Sequence, residues 1–179
     1  MADENLESQI MSVDTRHIAD RRKVRYQTFD DLLDDARTLA SGEVRSLGNW
    51  SLGQTLAHLG AAMEASIDGR PFPVPWWLKL LGKVYLKRRL VDGPFPPGFQ
   101  LPRAAREKLV FDEKSPAEGM AVLEHGIERL QRETSRTAHP VAGPLSLDEW
   151  NRFHLSHAEM HMSFLLPVTE DAVDPDKTA

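Results

Sequence analysis

The chain has 179 residues, enough for one domain with a sizeable core, and its 41% hydrophobic and 27% charged residues fit a globular protein rather than a disordered or membrane one. A net charge of −5 argues against a nucleic-acid binder, which needs a dense basic surface to neutralise phosphates. There is no cysteine, so disulfides, thiolate ligands and a cysteine nucleophile are excluded, and any transition-metal site must draw on His, Asp or Glu.

The first 17 residues, MADENLESQIMSVDTRH, lack a basic stretch followed by an apolar run, so no signal peptide is expected. No apolar run approaches the roughly 20 residues of a membrane span. Both features, with the lack of cysteine, fit a cytoplasmic protein. Residues 1–20 read as a polar tail with a short turn of helix, residues 21–167 as the folded domain, and residues 168–179 as an acidic tail. The basic run Arg21–Arg25 reads as a solvated surface segment.

Helix starts organise the rest. Four times a hydroxyl residue is followed three positions later by an acid or amide: Thr28 and Asp31, Ser51 and Gln54, Ser115 and Glu118, Ser146 and Glu149. The hydroxyl accepts from an orphan amide of the first turn, and its partner reaches back to the cap's own amide. Asp31 is shorter than the usual Glu, which makes the first box the weakest. Pro116 adds a first-position proline to the third. The apolar periods then predict helix one over 29–40, ended by Gly42, with Phe29, Leu32, Leu33, Ala36 and Leu39 inward. Helix two is predicted over 52–68 with Gly69 after it. Helix three is predicted over 116–135, with Met120, Leu123, Ile127 and Leu130 inward. Helix four runs from Ser146 towards Pro167. No alternating run of β-branched residues predicts a strand. The fold class is therefore all-α, a four-helix bundle. The excursion of about 45 residues between helices two and three holds a further helix over 76–90 and an extended, proline-rich stretch over 93–102. Such a crossover lets helix three run parallel to helix two.

Helix four carries the chemistry. At about 100° per residue, His154, His157 and His161 fall within about 60° of one another, on the face that also carries Trp150, Phe153, Phe164 and Leu165. Burying a polar ring without a partner costs roughly 1–3 kcal/mol, and one metal ion can satisfy several. His157 and His161, spaced i and i+4, sit one turn apart on one side. On helix two the stripe is Leu52, Leu56, Leu59 and Met63. His58 lies about 120° round from it, beside Ala61, Ala62 and Ala65, where a neighbouring helix can come close. Adding His58 gives three imidazoles, the ligand count of a catalytic zinc site with a fourth position for water or substrate. His154 would replace His157, pair with the bound water or line the pocket. His125 lies off the inward stripe of helix three and reads as solvated. His17 and His139 lie in predicted non-helical segments. Trp50 and Trp150 read as packing residues. The basic-aromatic segment 76–90 suits a crossover helix or a subunit interface better than a membrane surface.

Three stretches, RRKVRYQTFDDLLDDARTLASG, NWSLGQTLAHL and EWNRFHLSHAEMHMSFL, together resemble the DinB-like superfamily, in a bacterial branch that is a domain of unknown function. Trp50 through Leu59 resembles its helix-two signature, a tryptophan preceding a ligand histidine. His157-Ala-Glu-Met-His161 resembles its helix-four HxxxH pair. The resemblance implies a four-helix bundle, a divalent metal held by His58, His157 and His161, and a homodimer. It also implies a metal-dependent transferase that adds a low-molecular-weight thiol to an electrophile. Two features depart from the family: Met162-Ser163-Phe164 stands in place of an arginine-glycine-glutamine run, and His154 is an extra imidazole.

The leading expectation is a metal-binding enzyme, thiol transferase or hydrolase, using Zn or Ni on a small-molecule substrate, with His154 in a catalytic or supporting role. The alternative is a non-catalytic module that holds a small ligand and uses the histidines structurally. Glu64 and Asp68 are available on helix two, but neither is a fixed general base.

Overall fold

Four helices begin where a hydroxyl caps them. The computed structural model describes residues 13–69, 87, 91, 93, 95 and 112–168. Within these, α1 spans Phe29–Ala40, α2 Leu52–Asp68, α3 Pro116–Arg132 and α4 Leu147–Met162. All four predicted capping boxes form, with both reciprocal hydrogen bonds in each. The short Asp31 closes its box fully: its carboxylate accepts from the amides of Thr28 at 2.9 Å and Gln27 at 2.8 Å. A 3-10 turn over Thr15–His17, capped by Asp14, supplies the helical turn expected near the N-terminus.

Helix ends follow the local signals less closely. Gly69 takes a positive φ of 72° after α2, the left-handed stop that glycine permits. Gly42 is not among the positive-φ glycines; α1 closes instead on Ser41, whose amide bonds back to Arg37. α3 ends three residues before its expected limit. α4 stops at Met162, so Phe164 and Leu165 lie beyond the helix, although both are buried.

The expectation of no strand is corrected. Val44–Ser46 (β1) pairs antiparallel with Leu165–Pro167 (β2), with Arg45 opposite Leu166. Three residues are too few to show a period of two. The pairing partner lies about 120 residues away, so tertiary closure dictates these strands. The protein is thus mainly helical with a small two-stranded sheet.

The basic run is corrected too. Arg21 lies over the Phe164 ring at 4.8 Å, and its guanidinium reaches Ser163 Oγ. Arg22 makes a bidentate pair with Asp35 at 2.8 and 2.7 Å, and Asp35 also accepts from the Tyr26 hydroxyl at 2.5 Å. The Arg22 amide donates to the Ser163 carbonyl, and its side chain to that of Met162. Arg25 pairs with Glu159, which also accepts from the Tyr26 amide. Orphan carbonyls at the end of α4 attract cationic donors, so the segment clasps that helix end onto α1 rather than lying free in solvent.

α2 is buried almost all round, as a central helix must be. Its stripe of Leu56, Leu59 and Met63 joins Leu32 and Leu39 of α1, Leu123 and Ile127 of α3, and Met162 of α4 in one core. α3 runs parallel to α2: Gly53 faces Ser115 and Gly119, Gly60 faces Val122 and Gly126, and Asp68 pairs with Arg129. The four glycines let the two backbones touch. A Cβ at Gly60 would collide with the Val122 carbonyl, and one at Gly126 would sit 2.8 Å from the Gly60 oxygen. A smaller cluster of Trp150 and Phe153, with Phe95 and Leu145, lies apart from this core.

The expected helix over 76–90 and the extended stretch over 93–102 lie outside the described residues, apart from Lys87, Gly93 and Phe95. Among the described residues, the excursion meets the site through Gly93 and Phe95. Among the described residues no helix is long and apolar enough to cross a membrane.

Candidate metal centre

α2 and α4 meet through their histidines. His58 comes from the middle of α2, and His157 and His161 from the last two turns of α4. His58 Nε2 is 3.4 Å from His157 Nε2, and His161 Nε2 is 3.0 Å from the same atom. One ligand atom from each of the three lies within 4.8 Å of the others, so the group can hold a metal ion. A tetrahedral ion with imidazole nitrogens at about 2.05 Å spaces them about 3.3 Å apart. The two observed separations bracket that value.

Hydrogen bonding alone does not satisfy this arrangement. A neutral imidazole nitrogen carries either one proton or one in-plane lone pair. His157 Nε2 therefore pairs with one of its two neighbours and faces the other without a bond. A shared cation would remove the conflict, with His58, His157 and His161 each offering it a lone pair. Ligation needs neutral imidazoles. Burial pushes the proton affinity of His157 well below the ordinary imidazole range, and the nearby His161 and His58 lower it further. Burial does the same to His161, with His58 adding to it. Ligation through Nε2 leaves the proton on Nδ1. His157 Nδ1 is buried and has no hydrogen-bond partner among the described residues.

Aromatic rings enclose the three. Trp50 stacks on His161, with centroids 5.0 Å apart and planes 6° apart, and also touches His58 at 4.7 Å. It packs, as expected, but what it packs against is the histidine pair. The residue before the Ser51 cap is placed there by Ser46, whose hydroxyl donates to the Trp50 carbonyl at 2.7 Å. Phe153 stacks on His157 at 5.9 Å, and Phe95, from the excursion, lies 5.0 Å from the same ring.

His154 sits one turn earlier on α4, outside the group of three. Its Nε2 is 3.2 Å from Ser66 Oγ. That hydroxyl donates to the Met63 carbonyl at 2.6 Å, so it accepts from His154, whose proton is on Nε2. The ring stacks on Trp150 at 5.3 Å. Burial lowers its pKa to about 3, with Arg136 and His139 adding to the effect.

His139 was expected to matter little, yet it packs against Trp150 and Phe153. Its Nδ1 accepts from the amides of Val141 and Ala142, closing a turn whose Gly143 has a φ of 76°, and burial lowers its pKa to about 4. His-Pro followed by glycine three residues on is the trace of that turn in the sequence. His125 is largely exposed, as expected, 3.4 Å from Glu64. Asp68 takes Arg129 in a bidentate pair. His17 is exposed beside Asp14.

Comparison with curated proteins and with solved structures returned no match in either case. A family model described as "Protein of unknown function (DUF1569)" matches residues 18–168, and the chain belongs to that family.

Proposed function

We propose that the protein is a divalent-metal-dependent enzyme acting on a small-molecule substrate, a transferase or hydrolase, with His58, His157 and His161 as ligands. The observation that carries this proposal is the gathering of two buried imidazoles and one half-buried one, with ligand atoms within 4.8 Å of one another and His157 Nε2 in reach of both others. Bound there, a zinc or nickel ion would supply Lewis acidity and would activate a water or a low-molecular-weight thiol. Three protein ligands leave a coordination position for it.

The chain's own residues do the remaining work. α2 and α4 hold the nitrogens at fixed spacing, and Trp50, Phe95 and Phe153 keep water from the rings. His154 takes the supporting role in the proposal. It stays neutral and, through Ser66, ties α4 to the last turn of α2. Resemblance to the DinB-like superfamily supports the ligand set and extends the proposal to thiol transfer and a homodimer, and the lack of cysteine supports a cytoplasmic setting.

A second proposal, a non-catalytic module holding a small ligand, draws on the aromatic lining and on the lack of a carboxylate in the three-residue group. Elemental analysis decides first. Protein purified without chelator or affinity tag and reloaded with Zn²⁺ or Ni²⁺ should carry about one equivalent. Less than about one-tenth of an equivalent would remove the metal site. His58→Ala, His157→Ala and His161→Ala should each lose the metal. In the enzyme they lose turnover with it, whereas ligand binding unchanged in the metal-free variants would favour the module.

A further inference from the structure

The members of the site differ in how far solvent reaches them. His58, His154 and His157 are buried, whereas His161, Trp50 and Phe95 are half-buried. Among the described residues, the less buried side of the site carries the Trp50 ring, which lies on His161, and the Phe95 ring, which lies beside His157. Trp50 is built into the entry to α2. Phe95 arrives from the long excursion and needs an anchor.

Ser156 provides it. Its hydroxyl accepts from the Phe95 amide at 3.2 Å and donates to the Gly93 carbonyl at 3.1 Å. A serine inside a helix commonly turns its hydroxyl back to its own backbone. This one, next in sequence to His157, spends both hydrogen-bonding functions on a segment more than 60 residues away. The bracket fixes the backbone on either side of residue 94 and sets the Phe95 ring against His157 and Phe153. We infer that Phe95, positioned by Ser156, is the specificity-determining wall of the site and selects ligands that carry a flat apolar body. A ligand that donates to an ion beside His157 meets this ring, and offset or edge-to-face packing rewards an aromatic group there over a methyl group. The inference rests on the proposed metal site.

The test uses full-length protein loaded with Co²⁺ and two probes that share one chelating group. Acetohydroxamate carries a methyl group and benzohydroxamate a phenyl ring, and visible absorption of the cobalt reports binding of each. Wild type is expected to prefer the phenyl probe by at least 10-fold. Phe95→Ala should reduce that preference at least 5-fold, with the methyl probe's affinity little changed, and Phe95→Leu should fall between. Ser156→Ala should reproduce the Phe95→Ala result while leaving cobalt stoichiometry at one. Cobalt bound with the preference unchanged in either alanine variant would overturn the inference and leave the metal site standing. No cobalt uptake by wild type would overturn both.

Discussion

α2 presents two faces to two neighbours, and they are joined in different ways. Toward α3 it offers Gly53 and Gly60, and the backbones touch with no room for a methyl group. Toward α4 it offers His58 and Ser66, and the contact is made by imidazoles and a hydroxyl. The glycine contacts are closed by shape, with the Asp68–Arg129 pair at one end. The histidine seam is polar and largely buried. A helix fixed rigidly on one side can hold an exacting constellation on the other, and that is what a metal site requires.

Acid should separate the two seams most widely. His139 and His154 have folded pKa values of about 4 and about 3, below the unfolded value near 6.5. Unfolding therefore takes up protons below pH 6.5, and stability present above that pH is lost as pH falls towards 4. Each group contributes a slope of about 1.4 kcal/mol per pH unit, so the two remove on the order of 5 kcal/mol between pH 6.5 and 4.5. Urea unfolding of metal-free protein across that range checks it. A flat stability profile would mean that the histidine seam is not buried as described.

Next in size is the glycine seam. Gly60→Ala forces two backbones apart and should cost about 3 kcal/mol, at the upper end of overpacking. The denaturation midpoint should drop with the slope unchanged. Gly42→Ala meets nothing within 4 Å and should stay within about 0.5 kcal/mol of wild type. Equal effects at the two sites would break the comparison.

Zinc should act on the histidine seam alone. At a free concentration 100 times Kd, one bound ion adds about 2.7 kcal/mol. Wild type and Gly42→Ala should gain this in thermal melts, and His157→Ala should gain none. Smaller still is the clasp on α4. Arg22→Met leaves Asp35 with the Tyr26 hydroxyl but no cation and should cost about 2 kcal/mol, less than a fully buried pair because Arg22 and Asp35 both keep some contact with water. Burial raises the Asp35 carboxyl, but the Arg22 and Tyr26 hydrogen bonds outweigh that and hold it below its ordinary pKa. Its share of stability is thus present above the usual carboxylate pKa and lost as pH falls below it.

The parts of this architecture differ in how far the sequence reveals them. Helix starts were legible to the residue because a capping box is closed by groups three positions apart. The end of α4 was not, because Phe164 and Leu165 continue its apolar stripe while tertiary pairing draws Leu165 into β2. The glycine seam was present in the sequence, as Gly53 with Gly60 and Gly119 with Gly126, each pair seven apart. Its meaning appears only when the two helices are laid side by side. The i, i+4 spacing placed His157 and His161 together, and small neighbours marked His58 for close approach. Phe95 carried no such mark, since its place depends on one hydroxyl of a distant helix. The arginine clasp was equally hidden, because a basic run looks the same solvated or paired until its carboxylates are located.

In the proposed function one ion joins α2 to α4 through three imidazoles. X-ray absorption fine structure of the zinc-loaded protein tests it most directly. Three histidine nitrogens at about 2.0–2.1 Å, with a further light atom completing the shell, is the predicted result. His58→Ala should reduce the imidazole count to two or abolish binding. A shell of oxygen ligands, or one unchanged by His58→Ala, would contradict the claim.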